Sequence, residues 1–444
     1  MKSQVQNVES ILDMRSGDEV QDRGLMVGLW GMGCLGKTTL AKLIYNRIFT
    51  KFQDAAFIEI GSDSIKNLQI TMLRALTHAK LRVINRHGGI ASMKERLKCK
   101  KILLILDGAE DIRHIDGLIG KGSDYLKNGS RIIVTTRNKR VLRTRGATIY
   151  EVKALEDHAA RQLLRAYASK NGEEGISKEL VERALQCTGR VPSALRVLGS
   201  GFCGQNKNKN DGGRGIELKI FESWSDPTIH KELVKSFDGL KDATMEGIFL
   251  DIACFFNGWN RKYVEGFLGI RHVKRSDADS YDVVAHIAND HVTALVERSL
   301  ITDDNGTLQV HPLIKLMGQK VADGEVPLNL KKRSRLWCWD DVAKALSDDE
   351  GEYDVEAIVC APEETKELKY IDSSAFKRLK KLSFLIMINV QVKTFPDCID
   401  LPRQLRWFEW PEFPASRLKF SPTPWNPAVL AVRKSLSSRN QGEP

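Results

Sequence analysis

Apolar and polar positions follow one repeating order along the first third of the chain. Leu25 to Trp30 (LMVGLW) is an apolar run closed by Gly31, the pattern of a short strand buried on both faces. From Lys37 to Phe49 the apolar residues Leu40, Leu43, Ile44 and Ile48 recur at helical spacing, so the order is strand, glycine-rich loop, helix. Further apolar runs at Ala55 to Ile60, Ile102 to Asp107, Arg131 to Thr136 and Ile149 to Val152 are each separated by a helical stretch. Fully apolar strands alternating with amphipathic helices predict a parallel sheet covered on both faces, an α/β domain over residues 25–152. Residues 1–24 are polar, with one short amphipathic stretch around Val8 to Leu12, and read as a linker.

Beyond Lys153 the strand signal fades. Helical patterns run through Arg161 to Lys170, Lys178 to Leu198, Leu233 to Leu240, Thr244 to Phe256 and Ala288 to Leu300. The polar, glycine-rich Gln205 to Gly215 reads as a surface loop. Ile301 to Val310, with Asp304-Asn305-Gly306 between apolar flanks, predicts a small hairpin. These patterns define helical accessory regions at 153–220 and 221–345. From about Val355 the spacing of Leu379, Leu382, Leu385 and Ile388, then Leu401, Leu405, Trp407 and Phe408, suggests leucine-rich repeats over 346–444. Two such units fall short of the ~3 that normally bury a solenoid core, so the array reads as incomplete, with a frayed end at Pro422 to Pro427.

Composition narrows the class. The chain has 444 residues, 42% hydrophobic and 28% charged, which suits a globular protein of several domains. The net charge of +11 raises the question of a polyanionic partner. Its basic residues fall in short clusters, Lys98 to Lys101, Lys207 to Lys209 and Lys331 to Arg335, with no long basic helix and no tract interleaved with stacking aromatics. That distribution predicts ordinary solvated faces rather than a nucleic-acid surface. Eight cysteines form no C-x-x-C pair, which predicts reduced thiols inside a cell; Cys34, Cys187, Cys203 and Cys254 sit in apolar or glycine-rich contexts as small hydrophobes. No apolar run reaches the length of a membrane span and the N-terminus has no signal-peptide core, so the expected compartment is the cytoplasm, with the nucleus second.

One segment carries explicit chemistry. GMGCLGKTT from Gly31 fits G-x-x-x-x-G-K-[ST], with the strand before it and the helix after it that the pattern requires. Gly31, Gly33 and Gly36 let the backbone wrap phosphates, and the N–H groups of the loop and of the helix start, Thr39 included, point at them. Lys37 supplies a point charge to the β- and γ-phosphates, and the Thr38 hydroxyl ligates Mg²⁺. Asp107 closes the apolar strand ILLILD, where ligands bind in open α/β sheets, and is placed to hold Mg²⁺ through water. The expected cofactors are ADP or ATP with Mg²⁺.

The ordered series GMGCLGKTTLAK, KKILLILDGAED, GSRIIVTTRNKRVL, YEVKAL, GRVPSALRVLGS and FLDIACFF resembles the NB-ARC domain of plant disease-resistance proteins. FLDIACFF and RSRLWCWDDV from Arg333 resemble the branch of those receptors that carries a TIR domain, and the likeness runs from about Val8 to Leu430. The resemblance implies a P-loop NTPase domain followed by a helical bundle and a winged-helix subdomain, then leucine-rich repeats. It implies that Arg137 of TTR reads the γ-phosphate, that Pro192 packs on the adenine ring, and that His311 contacts the ADP β-phosphate.

Three departures from the family pattern bear on activity. Gly108 follows Asp107 where the family has a second aspartate, so hydrolysis is expected to be slow or missing, with Glu110 and Asp111 the only nearby acids that could partly substitute. Pro312 replaces the aspartate after His311, which predicts a weakened closed state. Arg190 alters the adenine pocket at GRVP. The chain starts after the position of a TIR domain and its repeats are short, so sensor and effector both read as incomplete. The expected function is an ADP/ATP switch of an intracellular immune receptor that self-associates on exchange. A slow ATPase and a non-signalling paralogue that pairs with full-length receptors are the alternatives. No motif identifies a pathogen effector or guarded host protein.

Overall fold

The structure is a computed structural model. It describes Lys2 to Ala431 apart from residues 15–24, 62, 79–85, 99, 122–125, 127–128, 169–176, 203–226, 241, 273–280, 325–329, 348–350, 373, 396–398, 414–417 and 420–428. The expected loop at Gln205 to Gly215, Cys203, the Lys207 to Lys209 cluster and the Pro422 to Pro427 end lie outside the described residues. Two compact units emerge: Met1–Gly239 with Ala294–Ile301, and Leu240–Thr293 with Thr302–Pro444.

The first unit is built on a parallel sheet of β1 (Leu25–Trp30), β2 (Asp54–Glu59), β3 (Ile102–Asp107), β4 (Arg131–Thr136) and β5 (Thr148–Glu151), in the order β2-β3-β4-β1-β5. All six residues of β4 and the first five of β3 are buried, which is why these strands read as continuous apolar runs rather than alternating ones. The register aligns Trp30 with Thr136 and Asp107 with Thr135, so the carboxyl ends of the central strands share one edge. Helices α2 (Lys37–Ile48), α3 (Ile65–Thr77), α4 (Arg86–Leu97), α5 (Ile112–Ile119) and α6 (Lys139–Arg143) lie between the strands in sequence, and α7 (Asp157–Ala168) follows the last of them. One face is closed by Met72, Leu73, Leu76, Ile115 and Leu118 packing on Leu104, Leu106, Ile132 and Val134.

The structure departs from the linker expectation at the N-terminus. Lys2–Met14 forms helix α1 and buries Val5, Val8 and Leu12, spaced at helical intervals, while the Arg131 Nε donates to the Leu12 carbonyl at 3.0 Å. Few apolar residues in a polar segment hid a helix that docks on one narrow stripe. The helical stretch expected over Lys178 to Leu198 is two helices, α8 (Lys178–Thr188) and α9 (Pro192–Phe202). Gly189 and Arg190 take left-handed φ of 55° and 60°, ending the first helix, and Pro192 opens the second at a first-turn position where its missing N–H costs nothing.

The second unit joins helices to a parallel ladder. The hairpin expected at 301–310 forms from Thr302–Asp304 and Thr307–Gln309, with Trp259–Asn260 completing a three-stranded antiparallel sheet. Downstream, Arg335, Ala357, Phe384, Trp407 and Val429 occupy one column of a five-stranded parallel sheet, 22 to 27 residues apart. That period falls within the range of about 20–29 residues that leucine-rich repeats span. The first strands of the ladder escaped notice because Val355, Ile358 and Cys360 share their core with the few leucines there, such as Leu336. The helix Arg261–His272 lies against the ladder: Phe267 meets Phe384 at 4.7 Å and Trp407 at 5.7 Å between ring centroids, and the Tyr263 hydroxyl donates to Glu409. Beneath it the fully buried Asp251 pairs with Arg271 at 2.8 Å, Arg335 at 2.6 Å and His272 at 2.7 Å. Burial raises the Asp251 pKa, but the two guanidiniums and His272 outweigh it and hold the carboxyl well below the usual range. The Lys331 to Arg335 cluster is likewise spent on internal pairs, Lys332 with Asp354, Arg333 with Asp341 and Asp323, and Arg335 with Asp251.

Candidate functional site

The phosphate loop sits between β1 and α2 at the aligned carboxyl edge of the sheet. Gly36 caps α2 with φ 87°, a left-handed turn open to glycine, and makes no side-chain capping bond to the first N–H groups of α2. At Gly31 the constraint is proximity: a Cβ there would meet the Val152 carbonyl oxygen and the Leu35 side chain at 3.0 Å each. Gly33 is buried, and Thr39 lies on the exposed side of the first turn. Cys34 adopts φ 66°, a left-handed conformation that costs a β-substituted residue about 1 kcal/mol.

Lys37 turns its ammonium into the loop and donates to the carbonyls of Gly31 at 2.7 Å and Met32 at 2.6 Å. Enclosure there pushes its pKa down to about 8, despite the opposing pull of Glu110; the Arg137 charge pushes the same way as burial. The influence of both residues places them within electrostatic reach of Lys37.

The metal pair of the sequence comes together directly. The Thr38 hydroxyl donates to Asp107 at 2.9 Å, and the Thr135 hydroxyl donates to the same carboxylate at 2.6 Å. Thr135 also accepts from the Gly108 N–H at 2.9 Å, so it fixes the end of β3 to the end of β4. A hydroxyl and a carboxylate meeting at one point suit a hard divalent cation, which keeps most of its shell as water and needs few protein ligands. Among the described residues no cluster of three or more His, Cys, Asp or Glu could hold a metal by itself.

Arg137 follows β4 and is held from two sides. Its Nε donates to Glu110 at 3.0 Å and its backbone N–H to both Glu110 oxygens at 3.2 Å. Its carbonyl accepts from the Trp30 indole at 3.2 Å and the Ser299 hydroxyl at 3.3 Å, and the same indole donates to the Glu297 carbonyl at 3.1 Å. Of the two acids noted as substitutes for a second aspartate, Glu110 is engaged by Arg137, and Asp111 caps α5 through the Arg113 N–H while pairing with the Arg113 side chain. Both have other work.

Pro192 opens α9 close to the loop: the neighbouring Ser193 hydroxyl donates to the Cys34 carbonyl at 3.3 Å. Arg190 turns its side chain to a cavity of about 540 Å³, shared with Ser3, Gln4, Asn7, Tyr150 and Lys153. His311 belongs to the second unit, where it caps the helix Pro312–Asp323 and its Nδ1 accepts from the Leu313 N–H at 3.2 Å. Pro312 is the first residue of that helix, a position where a backbone donor has no intrahelical partner, so the loss relative to aspartate is confined to the carboxylate. Thr135, Trp30, Glu110 and Ser193 were not singled out as ligand-site residues from sequence. Only Thr135 has a local signal, the paired threonines that end β4.

A phosphate loop on the carboxyl edge of a parallel sheet, with a strand-end aspartate on the loop threonine, defines a nucleotide-binding P-loop protein. The family model that matches is the NB-ARC domain, over residues 2–174. The chain is 33% identical to Disease resistance protein RPV1 of Vitis rotundifolia over 81% of its own length and 25% of the relative's. It is 30% identical to TMV resistance protein N of Nicotiana glutinosa over 93% of itself and 35% of that protein, and 29% identical to Disease resistance protein RPP2B of Arabidopsis thaliana over 81% and 28%. Residues 2–174 match the NB-ARC domain, and the chain is similar over most of its length to these plant disease-resistance proteins, of which it spans between about a quarter and a third.

Proposed function

We propose that this chain is the nucleotide-operated switch of a plant immune receptor, taking ADP or ATP with Mg²⁺ at the loop Gly31–Thr39. The observation that carries the reading is the convergence of Lys37, Thr38, Asp107 and Arg137 on one edge of the sheet. In this assignment Lys37 and the α2 N–H groups hold the phosphates, Thr38 and Asp107 hold the Mg²⁺, Pro192 borders the adenine, and Arg137 answers to the terminal phosphate. His311 carries the diphosphate-sensing role that the family resemblance implies. The ligand biases two conformations by its differential affinity for them, and exchange leads to self-association or pairing with a full-length receptor.

The switch reading is favoured over a turnover ATPase by the commitments of Glu110 to Arg137 and Asp111 to the α5 cap, which leave Gly108 uncompensated. Among the described residues no helix is long and apolar enough to cross a membrane. The cytoplasm is the compartment this reading assigns, testable with a fluorescent fusion. The central experiment is titration calorimetry with ADP and with ATP, followed by light scattering on each complex. Binding of both with a change in hydrodynamic size on exchange is the expected result. Absence of heat with either nucleotide on folded protein overturns the assignment.

A further inference from the structure

Glu110 stands at the site without a part in holding phosphate or metal. Its carboxylate accepts from the Arg137 Nε at 3.0 Å and from the Arg137 backbone N–H with both oxygens at 3.2 Å. Its own carbonyl accepts from the Asn138 side chain at 3.3 Å, so the residue is anchored at both ends to the segment that follows β4. The Arg137 side chain is 18% exposed and that of Glu110 34%, so the pair is partly shielded and its charge-assisted bonds are stronger than those of a surface pair.

We propose that Glu110 is the specificity-setting residue of the nucleotide site: its carboxylate competes with the terminal phosphate of a nucleoside triphosphate for the Arg137 side chain and so lowers the preference for ATP over ADP. This rests on the assignment of Arg137 as the residue that answers to the γ-phosphate. A guanidinium that turns to a phosphate must give up some of its bonds to the carboxylate, and that cost falls on the triphosphate alone, because a diphosphate has no group at that position. The carboxylate thereby acts as a resting counter-ion. It keeps the cation desolvated and aimed while delaying its engagement until a dianionic phosphate outcompetes it.

The charge of Glu110 also favours the protonated form of Lys37. Removing it weakens the hold of Lys37 on both nucleotides alike, so absolute affinities mix two effects and only the ratio isolates the competition. The experiment is titration calorimetry on the full chain with ADP and with the non-hydrolysable β,γ-imido analogue of ATP, both with Mg²⁺, for wild type, E110Q, E110A, R137A and E110Q/R137A. Glu110→Gln keeps an acceptor for the Arg137 N–H groups, and its melting temperature is measured beside Glu110→Ala to confirm folding. The expected result is a rise of about five- to tenfold in the triphosphate-to-diphosphate affinity ratio for both Glu110 variants. In the Arg137→Ala background the same substitution leaves the ratio unchanged, since the competitor has lost its target.

An unchanged ratio in E110Q and E110A, with R137A lowering it, overturns the role of Glu110 and leaves the sensor assignment standing. An unchanged ratio in R137A overturns both. A rise that persists in E110Q/R137A also overturns the proposal, because it means that Glu110 acts on the phosphate directly by repulsion.

Discussion

Asp107 of the first unit and Asp251 of the second are satisfied in opposite ways. Asp107 accepts from two neutral hydroxyls, Thr38 and Thr135, at the open edge of a sheet. Asp251 is enclosed completely and meets two guanidiniums and an imidazole. Neutral donors do not pair with the carboxylate's charge, which Lys37 and Lys42 balance only at a distance, so a divalent cation gains by binding there and the hydroxyls can turn toward it as ligands. Buried cations already compensate Asp251, and their worth lies in geometry: the helix Ala243–Phe255, the helix end at Arg271 and His272, and the first ladder strand at Arg335 are tied at one point. One acid is poised for a ligand and the other is a joint.

The comparison breaks most readily at the joint. Asp251→Asn leaves Arg335 buried without its counter-charge and Arg271 with only the half-exposed Glu356, and is expected to destabilise the second unit by about 3–5 kcal/mol, read as an early unfolding transition in calorimetry with nucleotide affinity retained by the first unit. A loss of under 1 kcal/mol would remove the distinction drawn here. Asp107→Asn is expected to do the reverse: a melting shift within about 1 kcal/mol, since Thr38 and Thr135 keep an acceptor, but loss of the Mg²⁺ dependence of ATP binding by at least about tenfold. If Mg²⁺ still tightens ATP binding in that variant, the cation is held elsewhere.

Lys37 sharpens the same contrast through pH. Its ammonium, with a pKa pushed down to about 8 by enclosure, is the form that binds phosphate. As pH rises through 8 the proton is lost from the unliganded protein, so nucleotide affinity is expected to fall by up to about tenfold per unit above pH 8. Folding has the opposite sign there. Between pH 8 and the unfolded lysine's value the native state binds fewer protons, so Lys37 adds stability as pH climbs. Parallel binding and melting series from pH 7 to 9.5 check both directions. The smallest effect is expected from Cys34→Gly, which relieves the left-handed strain at φ 66° and should stabilise the first unit by at most about 0.5 kcal/mol in thermal melts, net of the entropy glycine adds to the unfolded chain. A destabilised Cys34→Gly would mean that the thiol's packing outweighs the strain.

Much of the site was legible because its signals are local. A strand, a six-residue loop and a helix occupy Leu25 to Ile48 without interruption, and Asp107 ends an apolar run that only a buried strand explains. The parallel ladder of the second unit was legible in part, where leucines recur, and obscured where valine, isoleucine and cysteine fill the same core. Helix α1 was obscured by its polarity, since Val5, Val8 and Leu12 give a weak pattern until the surface they dock on is known.

By itself the chain's order of residues determined the phosphate loop, the parallel character of its sheet and the aspartate beside it, because each depends on neighbours within a few turns of backbone. The tertiary structure alone decided what Glu110 and Asp251 do. Glu110 reaches Arg137 across 27 positions, and Asp251 reaches Arg335 across 84. Such contacts follow from strand register and helix packing, and no spacing rule along the sequence encodes which distant cation a carboxylate will meet.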